Sequence, residues 1–264
     1  EGPVWSFCVS EFPMNISGPG LPDVVLVPHT AVGEAVWRAA RARLYHRLGH
    51  KVFVSDTCQL KSNPEAYELL FQKNPYISGE KTPAPGDVLD GVITENHPFK
   101  RTELEPGILK PRDFPVEERK LEIHYHPRLR EGLETVTLLD LNISSYRLVP
   151  GGRDDFSKVE AYVLEHYPDA VALVRESYDL KERRFEPLPV AKRFPSVAFR
   201  TIYDYCDLVA SSARVVCLQT GCEPIACHYN GKVDCLRTES HNVNPANRNR
   251  LLYIDCEVND IDLR

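Results

Sequence analysis

Two α/β lobes facing one another across a cleft are what this sequence predicts, and three observations carry the expectation. Near-continuous apolar runs at residues 23–28 (DVVLVP) and 215–219 (VVCLQ) have the composition of parallel strands buried on both faces. Each run empties into a glycine turn, Gly33-Glu34 in the first case and Thr220-Gly221 in the second, with a helix-compatible segment behind it. The order of strand, turn and helix then recurs in the second half, so residues 1–130 and 131–264 read as two units built alike.

Taken in order, residues 1–22 are rich in Pro and Gly without a period and read as an irregular arm. After the strand at 23–28 and the turn HTAVGE comes AVWRAARARLYHRLGH, where Val36, Ala40, Leu44 and Leu48 make one apolar stripe. Arg38, Arg43 and Arg47 fall mostly outside that stripe, on what reads as a solvated face. Gly49 stands where a left-handed C-cap belongs, and residues 51–55 (KVFVS) restart as a strand. The resulting βαβ unit requires a right-handed crossover and begins a parallel sheet. Asn63-Pro64-Glu65 opens a second helix with a capping residue, a first-turn proline and a first-turn acid; it ends near Lys73, because Asn74 precedes Pro75. Residues 88–94 read as a strand. Residues 97–119, punctuated by Pro98, Pro106, Pro111 and Pro115, read as a surface loop of the kind that covers a site. Residues 121–125 are a strand or the start of the connection between halves, whose junction falls between Pro127 and Glu134.

In the second half, residues 135–141 (TVTLLDL) predict a buried strand, followed by a polar loop at 142–155 that contains Gly151-Gly152. Ser157 and Glu160 have capping-box spacing, with Val159, Val163 and Tyr167 on one helical face behind them. A strand at 169–175, a proline-marked loop at 180–195, a helix at 200–213 and the strand at 215–219 complete the pattern.

With 42% apolar and 27% charged residues in 264, the chain has the composition of a folded protein. Its net charge of −6 argues against a general grip on a nucleic-acid backbone and favours small molecules or proteins as partners. No apolar run reaches the roughly 18 residues of a membrane span. Eight cysteines without a leader pattern read as reduced thiols of a cytoplasmic protein. Cys217, Cys222, Cys227 and Cys235, with His228, are spaced more widely than paired zinc ligands. The sequons at Asn15 and Asn142 carry nothing in that setting.

A strand that ends in a glycine turn and a helix start aims backbone N–H groups outward, where a phosphate can be held; the alternative is an ordinary βα turn. Glu34, by the first turn, is a carboxylate at the carboxyl end of a strand, where open α/β sheets bind ligands, or a favourable first-turn helix charge. His29 is a second candidate base or a loop histidine.

The order of these features resembles the bacterial heptosyltransferases and their relatives in glycosyltransferase family 9. Gly33-Glu34 stands where those enzymes carry Gly-Asp or Gly-Glu. The stretch from Asp207, DLVASSARVVCLQTGCEPIA, is similar to their helix, strand, Ser/Thr-Gly turn and short helix; Leu69-Leu70 and Asn74-Pro75 also look like the family. The resemblance implies two facing Rossmann-like lobes of the GT-B type, residues 1–130 on the acceptor side and 131–264 on the donor side. It further implies inverting sugar transfer from a nucleotide-sugar, with no cofactor and no essential metal. Glu34 would be the base, with His29 as the other choice. On their own chemistry, Thr220 and Gly221 offer a hydroxyl and an unobstructed backbone to the diphosphate; Arg147, just beyond Ser144, is an added charge there or an exposed loop arginine, and Glu223 accepts from a ribose hydroxyl or is a first-turn helix charge. The acceptor would be a glycan or small molecule. Gln219 and Pro224 replace the Asp and His expected around the second turn. That departure keeps open a non-catalytic nucleotide- or sugar-phosphate-binding protein; a third alternative, resting on the arginines of the first helix instead, is a transferase acting on hydroxymethylated DNA.

Overall fold

The computed structural model describes residues 20–28, 32–91, 115–142, 156–176, 187–238 and 253–263. The fold is α/β with two wholly parallel sheets. In the first, β1 (Val24–Val27), β2 (Val52–Ser55), β3 (Glu80–Lys81) and β4 (Val88–Gly91) lie in the order β3-β2-β1-β4. The second has six strands: β5 (Thr137–Asp140), β6 (Val171–Arg175), β7 (Ser196–Phe199), β8 (Arg214–Leu218), β9 (Lys232–Arg237) and β10 (Glu257–Asp262). Their order, β10-β9-β8-β5-β6-β7, is the doubly wound arrangement in which the chain leaves β5 in one direction and returns to start β8 in the other. The first sheet draws its strands from residues 24–91 and the second from residues 137–262.

The strands form where branched apolar residues accumulate without alternation, because a parallel sheet covered on both faces hides every side chain. Val24, Val25 and Leu26 of β1 and Leu138 and Leu139 of β5 are all fully buried. Gly91 ends β4 opposite Val27, and a Cβ added there would lie 2.3 Å from the Val27 carbonyl oxygen and 2.5 Å from its Cβ. Gly91→Ala should therefore cost about 1–3 kcal/mol of overpacking. The check is the thermal unfolding midpoint, expected to fall by several degrees at roughly 2–4 °C per kcal/mol for a chain of this size.

Helix α1 (Val32–Arg47) ends as its glycine predicts. Gly49, at φ 93°, lets His50 N–H bond to Tyr45 O at 3.1 Å and Gly49 N–H to His46 O at 3.0 Å, the paired bonds of a Schellman stop. Its burial departs from the expected single stripe. Ala35, Ala39, Ala42 and Tyr45 are buried together with Arg38 and Arg43, while Leu48 is exposed, because α1 packs against elements of both halves. Helix α2 (Pro64–Tyr67) has the expected Asn63 cap, whose side chain accepts from Ala66 N–H at 3.3 Å, and widens into a π-turn through Gln72.

Helix α3 (Ser157–His166) starts at Ser157 with Phe156 at the capping position, so Ser157 is inside the helix and the expected capping box does not form. The box appears instead on α4 (Ile202–Ser211), between Thr201 and Asp204. Helix α5 (Glu223–Tyr229) follows β8, with Pro224 in its first turn. Residues 121–125 join no strand ladder; the following stretch lies along α4, with Tyr125 OH and Arg128 N–H both 2.8 Å from Asp207 Oδ1 and Arg130 N–H 2.8 Å from Ser211 Oγ. A single apolar cluster holds Val24, Leu26 and Val54 of the first sheet, Leu138, Val215 and Cys217 of the second, and residues of α1, α4 and α5.

Candidate functional site

The strand orders define where a ligand can lie. Chain direction reverses between β1 and β4 in the first sheet and between β5 and β8 in the second, and such a reversal is where open α/β sheets leave a ligand crevice beyond the carboxyl ends of their strands. The glycine turns singled out in the sequence follow β1 and β8, one at each crevice.

These two turns touch. A Cβ on Gly33 would come within 3.1 Å of Gly221 Cα and 3.4 Å of Pro224 Cγ; one on Gly221 would come within 3.1 Å of Gly33 N and 3.4 Å of Val32 Cβ. Neither glycine is among those at positive φ, so close approach is what requires both. Pro224 fits as a first-turn helix residue packed on Gly33. Glu34 lies in the first turn of α1, its side chain 29% exposed and paired with Arg38.

At the second turn, Thr220 N–H bonds to Leu218 O at 2.7 Å, Cys222 N–H to Thr220 Oγ1 at 3.3 Å and Glu223 N–H to Thr220 O at 3.2 Å. Thr220 thus builds the turn as well as edging the crevice. Glu223 is 2% exposed, beneath the turn. The structure brings Glu34, Thr220, Gly221 and Glu223 into one region. His29, Ser144 and Arg147 lie outside the described residues.

Two aspartates that sequence reasoning passed over lie fully buried at the carboxyl ends of β5 and β4. Asp140 ends β5 beside Cys217 of β8; its carboxylate accepts from Asn142 Nδ2 at 2.6 Å and from Tyr205 OH at 2.8 Å. Burial, reinforced by the charge of Asp140, pushes the Tyr205 phenol and the neighbouring Cys222 thiol up, so both stay protonated. Asp90, the penultimate residue of β4, accepts from Arg38, Arg41 and Tyr45 of α1. The signal for both was legible: an acid at the carboxyl end of an apolar run, in VLDG and TLLD.

Of the three α1 arginines read as a solvated face, Arg47 is exposed, at 54%, and pairs with Glu118, whereas Arg38 and Arg43 are buried. Arg38 pairs with Glu34 and Asp90, and Arg43 with Glu118 at 2.9 Å and Glu122 at 3.4 Å; both arginines are under a tenth exposed. A DNA-binding groove lined by these residues loses its support, since buried and paired guanidinium groups do not reach a phosphate backbone. Cys217 and Cys235 face each other across β8 and β9, and none of the seven described cysteines is in a disulfide. Elsewhere, a cavity of about 200 Å³ is lined by Lys120, Glu122, Cys227, His228, Tyr253 and Asp255. Burial holds His228 neutral there, down to about 4. No described helix is long and apolar enough to cross a membrane.

No protein-family model matches the sequence, and no curated protein does. Among solved structures, a family 9 glycosyl transferase from Veillonella parvula DSM 2008 matches at 9% identity and a TM-score of 0.54, over 92% of this chain and 86% of that one. The iron-containing dodecameric glycosyltransferase TibC from enterotoxigenic E. coli H10407 matches at 13% identity and a TM-score of 0.48, over 82% of this chain and 58% of its own. TibC in complex with ADP-D-beta-D-heptose, described as a heptosyltransferase, matches at 12% identity and a TM-score of 0.46, over 81% and 58%. The chain therefore spans less than two thirds of TibC. The fold is that of the heptosyltransferase-like family 9 transferases, in agreement with the resemblance read from the sequence. One expectation is corrected. Chemistry without metal or cofactor was expected of this fold, yet TibC is iron-containing. Among the described residues, no group of three or more His, Cys, Asp or Glu side chains is arranged to hold a metal ion.

Proposed function

We propose that the chain is a glycosyltransferase that moves a sugar from a nucleotide-sugar to an acceptor hydroxyl, with inversion at the sugar carbon. The observation that carries this reading is the contact between Gly33 and Gly221, which sets the turns after β1 and β8 side by side at the two crevices. In the proposed arrangement two Rossmann-like lobes face one another, residues 1–130 receiving the acceptor and 131–264 the donor.

Glu34 is the base. Its carboxylate takes the proton as the acceptor oxygen attacks the sugar carbon from the side opposite the departing nucleoside diphosphate. Thr220 and Gly221, with Ser144 and Arg147, hold that diphosphate as its charge develops. Glu223 lies beneath and accepts from the ribose. The acceptor is a glycan or a small molecule. The seven described cysteines, none of them in a disulfide, support a reducing, cytoplasmic setting.

The test is a thermal-shift screen of nucleotide-sugars, ADP-heptose included. A donor present at 100 times its Kd should stabilise the fold by about 2.7 kcal/mol, which is roughly 5–10 °C in the unfolding midpoint. A screen with no stabilising donor overturns the reading. A donor that binds but never turns over favours the non-catalytic alternative, which draws on Gln219 and Pro224 and on the pairing of Glu34 with Arg38.

A further inference from the structure

Glu34, Arg38, Arg41 and Tyr45 follow one another at intervals of four, three and four residues, and so share one face of α1. That face meets the end of β4. Asp90 Oδ1 accepts from Arg38 Nη1 at 2.9 Å and from Arg41 Nη2 at 2.7 Å, and Oδ2 accepts from the Tyr45 hydroxyl at 3.0 Å. Arg38 gives its other terminal nitrogen to Glu34 Oε1, one helical turn back. Side-chain exposure rises along the line from 1% at Asp90 through 8% at Arg38 to 29% at Glu34. The chain of contacts thus runs from the interior to the mouth of the first crevice.

Burying two guanidinium groups and a carboxylate is costly even when they are paired, and packed apolar side chains would join α1 to β4 at least as well. What such a network supplies is geometry. A guanidinium is a rigid planar fork, and with one prong held by a fixed carboxylate the direction of the other is set. Left without Asp90, Arg38 could turn both prongs onto Glu34 and occupy both of its oxygens.

We infer that Asp90 is a positioning residue for Glu34: by holding one prong of Arg38, it restricts that arginine to a single oxygen of Glu34 and keeps the other aimed at the acceptor. The role rests on the reading of Glu34 as base, and it extends the machinery to a strand end 56 residues from Glu34 (90 − 34).

The test is a double-mutant comparison, read as release of nucleoside diphosphate from whichever donor stabilises the parent protein. Asp90→Asn should lower kcat about 10- to 100-fold, the usual effect of misplacing a catalytic group, with KM for the donor unchanged. In a Glu34→Gln background the same change should cost nothing further, because the group it positions is already gone. Arg38→Lys should behave like Asp90→Asn, since an ammonium cannot hold two carboxylates in a fixed fork, and it serves as the comparison should Asp90→Asn fail to fold. Losses that multiply in the double variant, or undiminished kcat in a folded Asp90→Asn, overturn the positioning role alone. A parent that turns over no donor, or a Glu34→Gln variant with full turnover, overturns the functional reading beneath it.

Discussion

Replacing Glu34 by Gln should leave donor binding intact and lower turnover by roughly two to four orders of magnitude, the usual worth of a positioned general base. The amide keeps the size of the carboxylate and still accepts a hydrogen bond from Arg38, so α1 retains its first-turn contact. It lacks only the ability to take a proton. Arg38, whose side chain is only 8% exposed, keeps its ion pair with Asp90 at 2.9 Å, so no buried charge is left unpaired and stability should change little. Single-turnover rates, with donor affinity measured in parallel, separate loss of chemistry from loss of binding. Full turnover in the variant would reduce Glu34 to a helix-start charge and make His29 the next residue to test.

The second large effect concerns Gly221. Gly221→Val should abolish stabilisation by the donor, because the branched side chain stands where the diphosphate must approach the turn. The structure adds a cost that the turn alone did not foretell. A Cβ at this position meets Gly33 N at 3.1 Å and Val32 Cβ at 3.4 Å, so the start of α1 has to yield. An overpacking penalty of about 1–3 kcal/mol is expected in the absence of any ligand. Gly221→Ala carries the first contact without the branch and separates the two effects. If the Val variant folds and still binds donor as the parent does, the turn is not part of the site.

What could be read in the sequence follows from which forces are local. The strands at the centres of both sheets announce themselves because burial on both faces leaves only apolar residues, as in VVLV and RVVCL. The stop of α1 at Gly49 and the cap at Asn63 are equally local. Strands β9 and β10 escaped notice. KVDCLR interrupts its apolar run with an aspartate that is stabilised by Tyr167 at 2.7 Å and Arg214 at 2.6 Å, partners 67 and 20 residues away. EVNDID, at the sheet edge, is mostly exposed and carries little apolar signal. The same reason explains the misreading of Arg38: its partner Asp90 is 52 residues distant, and no window along a helix reveals a carboxylate on a strand. Within the candidate site, the sequence points to the two glycine turns one at a time. That they meet is a property of two sheets brought together, which no local pattern encodes.

The contact of Gly33 with Gly221 also constrains how the molecule can move. Apolar residues of α1, such as Ala35 and Ala39, and of α5, such as Ile225 and Ala226, belong to the cluster that the two sheets share. Swinging one half away from the other would open that cluster to water at about 25 cal/mol for each Å² of apolar surface. Sliding costs far less, because the surfaces stay covered as one passes over the other. Where Gly33 and Gly221 meet, neither position has a side chain of its own, and Pro224 and Val32 pack directly beside the contact. A side chain placed on either glycine would therefore press one helix start against the other, so each position is tied to the residue type at its opposite number.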